Sequence, residues 1–129
     1  MKTLTLHTHA TTELIEITRE VQAFVRESGI KEGICVVYCP HTTAGLTINE
    51  AADPSVKADL LMELNKLVPF QDHYKHLEGN SAAHIKASLV GSSVTLPIVG
   101  GSLALGTWQG IYFCEFDGPR HRQVYLQIV

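Results

Sequence analysis

The sequence predicts an α+β domain built on an antiparallel β-sandwich with two or three flanking helices, and three observations carry that prediction. At least seven segments have strand character against two clear helices. The connections are mostly of hairpin length, and no regular strand–helix alternation of the kind a doubly wound parallel sheet requires is present. With 129 residues the chain is read as a single domain over 1–129. A chain of this size buries roughly two-thirds of its unfolded surface, enough for an apolar core without a disulfide or structural metal.

Lys2 to Thr8 alternates, with Leu4 and Leu6 on one face and Thr3, Thr5, His7 and His9 on the other, the pattern of a half-buried strand that turns both histidines to solvent. Glu13 to Ile17 stays extended. Thr18 is placed to cap a helix whose Val21, Phe24 and Val25 fall at helical spacing until Ser28-Gly29 stops it. Ile34-Cys35-Val36-Val37-Tyr38-Cys39 is an unbroken apolar run, which predicts a strand buried on both faces and ended by Pro40. The turn His41-Thr42-Thr43-Ala44-Gly45 precedes a shorter strand from Leu46 to Glu50. Asp53-Pro54 then opens a helix, because Asp accepts from orphan amides and Pro is pre-set for the first helical position. Val56, Leu60, Leu64 and Leu67 form its expected buried face, ending near Pro69.

Residues 70–83 are polar and aperiodic, a loop longer than packing alone favours. A short helix is expected from His84 to Leu89, and Val94, Leu96 and Ile98 alternate on a strand that Pro97 assigns to an edge or bulge. Gly100-Gly101 is a turn ahead of a brief strand over 102–105. Two long strands, Trp108 to Phe116 and Arg122 to Val129, are joined by Asp117-Gly118-Pro119-Arg120-His121 as a hairpin-like connection. Trp108 is expected in the core.

Thirteen acidic and ten basic residues give a formal charge of -3, with no concentrated basic face. This argues against a nucleic-acid partner, which requires such a face to displace counterions. No stretch reaches the roughly 18 to 20 apolar residues of a membrane span, and the N-terminus alternates rather than forming a signal-peptide block. Cys35, Cys39 and Cys114 lie in apolar runs and lack the C-x-x-C spacing, so a reducing, cytoplasmic setting is expected.

The compositional excess is seven histidines. Neutral imidazoles suit zinc and similar ions, and a catalytic site takes three protein ligands with one open position. His41 after a strand, His76 in the long loop and His84 at the start of a helix are the preferred trio. Exposed or hydrogen-bonded histidines give the same spacing. Glu115 lies between apolar residues in a strand apolar on both faces, where a carboxylate requires a partner; Arg120, Arg122, Lys86 or a metal-bound histidine are candidates. Its role is either an internal ion pair or a catalytic one. Asn49 and Glu50 are candidates for substrate contact, Thr42, Thr43 and Gly45 for anion contact, and Gln109 for a ligand contact.

At His41-Thr-Thr-Ala-Gly-Leu-Thr-Ile-Asn-Glu50, Asp53-Pro54, His76-Leu-Glu-Gly-Asn80, His84-Ile-Lys-Ala-Ser88, Gly106-Thr-Trp-Gln-Gly110 and Glu115, the chain resembles the YjbQ-like family, also called secondary thiamine-phosphate synthases. The resemblance runs from end to end. It implies a jelly-roll-like β-sandwich with flanking helices, a homotrimer, a histidine-rich pocket for a divalent metal, zinc ahead of magnesium, and weak thiamine-phosphate synthesis. By position, His41, His76 and His84 look like the metal histidines, Asn49 and Glu115 like the polar wall, and Lys86 with Arg120 or Arg122 like the cationic side. One departure stands out: many members carry an acid one or two residues before the histidine at 84, where this chain has Ser81-Ala82-Ala83, leaving Asp72 or Glu78 to replace it. The expected function is a small metal-binding enzyme acting on an anionic or phosphorylated small molecule. The alternative is a non-catalytic trimeric binding protein for an anionic metabolite.

Overall fold

The computed structural model describes residues 1–129. Its elements follow one another as β1 (Lys2–His7), β2 (Glu13–Glu16), α1 (Thr18–Ser28), β3 (Glu32–Tyr38), β4 (Ala44–Glu50), α2 (Pro54–Leu67), α3 (Ser81–Val90), β5 (Ser93–Val99), β6 (Ser102–Leu103), β7 (Gln109–Glu115) and β8 (His121–Ile128). Two curled sheets result, one ordered β1-β8-β3-β5-β6 and the other β2-β7-β4. Every pairing is antiparallel, so the predicted α+β architecture is the one observed.

Period-two alternation builds the main core between the sheets. Cys35, Val37, Leu96, Ile98, Val124 and Leu126 face Leu46, Ile111 and Phe113, and Val21 and Val25 of α1 complete the cluster. A second cluster lies on the other face of the smaller sheet. There Leu14, Tyr112, Cys114 and Phe116 meet Ala83 and Ala87 of α3 and the half-buried Leu60, Leu61 and Leu64 of α2. The smaller sheet is therefore covered twice, and β7 is buried from Gly110 to Glu115. Cys114, deep in that strand, has its thiol pushed up to about 12 by burial.

Several local expectations require correction. β3 is buried on one face only, with Ile34 and Tyr38 each 45% exposed, because α2 and α3 cover the smaller sheet and leave the outer side of the larger sheet, which holds β3, open. Thr18 does not cap α1: its hydroxyl donates to Glu16 Oε2 and accepts the Ile111 N–H instead. Asp53 does cap α2, accepting from the Ser55 N–H at 2.9 Å, yet no residue of that helix is fully buried and Leu67 is largely exposed. α3 begins at Ser81, three residues earlier than predicted, so His84 lies within its first turns. Pro97 sits in a strand with neighbours on both sides. Its carbonyl accepts from the Ala104 N–H beside the two-residue β6, so its missing donor falls on the side where little pairing exists. Trp108 is exposed rather than in the core. The segment between β7 and β8 is no hairpin, since those strands belong to different sheets; it is a crossover.

One close approach positions the site. A Cβ at Gly45 would lie 2.6 Å from the Gly91 carbonyl oxygen, which accepts the Leu46 N–H at 3.0 Å. Only glycine lets the end of α3 dock this tightly on β4, and α3 carries His84. No helix is long and apolar enough to cross a membrane.

Candidate functional site

Three segments converge at one end of the sandwich: Pro40 to Thr43 between β3 and β4, the 117–120 crossover, and the stretch from His76 into α3. They enclose a cleft of about 470 Å³ lined by Pro40, His41, Thr42, Thr43, His76, Glu78, Asn80, His84, Arg120 and Arg122. An adjoining concavity continues past His41, Thr42 and His84 toward Ser88 and Ser92. The structure thus brings together the predicted His41, Thr42, Thr43, His76, His84 and Arg120.

The floor is a sealed ion pair. Arg122 reaches Glu115 through Nε at 2.8 Å and Nη2 at 2.5 Å, and Nη2 also donates to Thr43 Oγ1 at 2.9 Å. Glu115 further accepts from Thr8 Oγ1 at 2.8 Å and from the Phe116 and Asp117 amides at 3.1 and 3.0 Å. Burial alone would raise its carboxyl pKa, but the hydrogen bonds from Arg122, the Asp117 amide and Thr8 prevail and hold it below the usual carboxylate value. With both oxygens committed, Glu115 has no capacity left for a ligand. It anchors Arg122, whose Nη1 remains uncommitted.

The rim is open. Arg120 is held against Asp117 through Nε to the carbonyl at 2.8 Å and Nη2 to Oδ2 at 2.9 Å. Asn80 Nδ2 donates to the same Oδ2 at 2.9 Å, while the buried Asn80 Oδ1 has no partner. His76 and His84 meet edge to face with ring centres 5.6 Å apart, and Glu78 lies 3.9 Å from His76 Nε2. His41 Nε2 accepts the Gln123 N–H at 2.9 Å. Burial, then the Arg122 charge, lowers its pKa and keeps the ring neutral.

A protein-family model described as UPF0047 protein YjbQ-like matches residues 2–129. The chain belongs to the YjbQ-like family. The UPF0047 protein YugU of Bacillus subtilis is 53% identical over 130 residues, spanning 100% of this chain and 98% of that one. The crystal structure of an uncharacterized conserved YjbQ/UPF0047 protein from Clostridium acetobutylicum superposes with a TM-score of 0.98 at 55% identity, over 100% of both chains. A YjbQ-like protein of unknown function from Sulfolobus solfataricus gives 0.95 at 33% identity, over 98% of this chain and 94% of that one.

The metal expected from the YjbQ-like resemblance does not fit these residues as they stand. A neutral imidazole has one lone-pair nitrogen, and His41 spends it on Gln123, which leaves Nδ1–H as a donor. His41 is therefore set to donate to an anion rather than ligate a cation. Nowhere do three His, Cys, Asp or Glu side chains gather closely enough to hold an ion. Ala82 and Ala83, at the positions where the resemblance led to the expectation of an acid, are fully buried. Of the two possible replacements, Glu78 reaches the cleft and Asp72 pairs with His73 instead.

The other predicted site residues lie elsewhere. Lys86 is fully buried on a different side of α3, donating to Asn65 Oδ1 at 2.6 Å and sitting 4.1 Å over the Phe70 ring. Burial lowers its pKa. Asn49 and Gln109 line a separate hollow of about 340 Å³ with Ile48, Glu50 and Trp108. The β4–β7 register pairs Ala44 with Glu115 and Glu50 with Gln109, which puts that hollow roughly 20 Å from the cleft floor at ~3.4 Å per residue. Asn80 belongs to the cleft although no role of its own was expected for it from sequence, and Glu78, expected as a replacement acid, lines the cleft with it.

Proposed function

We propose that the cleft binds a phosphorylated or otherwise anionic small molecule and that this chain is an enzyme acting on it. The observation that carries the reading is a wall with no hydrophobic side chain on which Arg120, Arg122 and three histidines converge. His41 Nδ1–H and Arg122 Nη1 supply fixed donors, and Thr42, His84 and Arg120 supply rim donors, the arrangement that stabilises charge on a leaving oxyanion. The reaction the YjbQ-like resemblance implies uses that capacity. A pyrimidine diphosphate loses pyrophosphate as its carbon–oxygen bond breaks, and the thiazole nitrogen of a thiazole phosphate forms the new carbon–nitrogen bond. The site's part is to hold the departing pyrophosphate. No step passes through a divalent ion, zinc or magnesium, because His41 has no lone pair to offer one. Assembly as a homotrimer is what the YjbQ-like resemblance implies, and the exposed Ile34, Tyr38 and Val99 on the outer face of the larger sheet offer a contact surface for it.

A specific observation favours the second reading, a non-catalytic binding protein: Glu115 and Lys86 are both sealed away from the cleft, which leaves Glu78 as the only carboxylate lining it, Asp117 on the rim being held by Arg120 and Asn80. Calorimetry with pyrophosphate tests the shared premise. Wild type binds, and His84→Gln weakens binding by about tenfold or more, the value of one charge-assisted contact; absence of binding overturns both readings. Chromatographic assay of thiamine phosphate then separates them. Turnover reduced by His84→Gln supports the enzyme, and trace turnover equal in both proteins supports the binding protein.

A further inference from the structure

His7 and His121 lie outside the cleft, and neither ring is tied up as His41 is by Gln123. The β1–β8 register sets them directly opposite one another. Their rings are 4.1 Å apart centre to centre and inclined at 64°, and both side chains are exposed. The adjacent row fixes the geometry: Thr8 N–H donates to the Arg120 carbonyl at 2.9 Å, and Arg120 N–H donates to Thr8 Oγ1 at 2.8 Å. Thr8 and Arg120 thus form the hydrogen-bonded row, and His7 and His121 fall in the non-hydrogen-bonded row, where facing side chains stand closest.

We propose that His7 and His121 form a two-histidine site for a divalent first-row transition-metal ion on the outer face of the larger sheet. Each neutral imidazole offers one lone pair. A tetrahedral ion with metal–nitrogen bonds of about 2.0–2.1 Å holds its two nitrogens about 3.3–3.4 Å apart. The ring centres of two such ligands lie about 5 Å apart, about 1 Å more than the 4.1 Å between these rings, and the exposed side chains open to that spacing by adjusting both of their side-chain torsions. Water fills the remaining positions. Imidazole pairs select copper, nickel and zinc over magnesium and calcium.

The ion also has a structural consequence. β1 is an edge strand whose only sheet partner is β8, and a metal shared by the two strands pins that edge. Binding to the folded state alone raises the melting temperature as metal concentration rises. The site is independent of the cleft and stands whether or not the cleft binds anions.

The test is to strip the protein with chelator and add zinc alone, following histidine ring nitrogens by NMR and the melting temperature. The expected result is that the His7 and His121 resonances move together and the melting temperature climbs. His7→Gln and His121→Gln each weaken binding at least about tenfold and abolish the climb, whereas His84→Gln retains both responses. Zinc binding that survives both strand variants, that disappears with His84→Gln, or that is absent at millimolar zinc overturns the proposal. Both positions are exposed, and melting without metal confirms that each variant is folded.

Discussion

The floor and the rim of the cleft are built from the same residue types and behave as opposites. On the floor, Arg122 is 4% exposed, Glu115 is fully buried, and every carboxylate lone pair is used. On the rim, Arg120 and its partner Asp117 are 52% and 22% exposed, and His76 lies in the segment between α2 and α3. A charged side chain with no uncommitted valence is structural, whatever its chemistry offers in isolation. One with a free donor facing an open space is available to a ligand. The contrast predicts that substitution of Glu115 acts on stability and substitution of the rim acts on binding, while Arg122, with its free Nη1, serves both.

The largest expected effect is at the floor. Glu115→Gln leaves Arg122 buried without its counter-charge, a class of change that costs about 3–5 kcal/mol, measured by urea unfolding. A loss below about 1 kcal/mol would break the distinction. The pH dependence is next. His41 titrates below its ordinary 6.5 in the folded chain, so folding stability declines as pH falls below that value. Glu115 titrates below its ordinary 4.5, so the stability it contributes is present above 4.5 and is lost as pH falls through its lower folded value. Acid unfolding therefore proceeds in two windows, and His41→Gln removes the upper one. The smallest expected effect is at the rim: Arg120→Gln changes stability by no more than about 1 kcal/mol, as exposed ion pairs do, yet weakens pyrophosphate binding in the same calorimetric titration.

The legible parts of the sequence were those fixed by local chemistry. A lone acid within an apolar strand requires a partner, and Glu115 has Arg122 at 2.5 Å. The asymmetry of Asp53-Pro54 gives a capped helix start, as observed. The three histidines share one cleft, although His41 has its lone pair committed to the Gln123 N–H. What stayed hidden depended on which layer covers which face. An apolar run such as Ile34 to Cys39 reads the same with one covered side or two. Asp117 to His121 has turn composition whether the chain returns to its own sheet or crosses to the other. His84 and Lys86 stand two residues apart on α3, and such residues do not share a helix face, so one reaches the cleft and the other turns to Asn65.

Glu115 and Arg122 bracket the short crossover between the two sheets, one at the end of β7 and the other near the start of β8. Their pairing is a rivet through the corner of the sandwich, and the base of the cleft is the head of that rivet. Deforming the base would mean prising the layers apart at the corner. A ligand therefore meets a surface already set in place, and the entropy lost on capture is confined to side chains of the rim and the segment that carries His76.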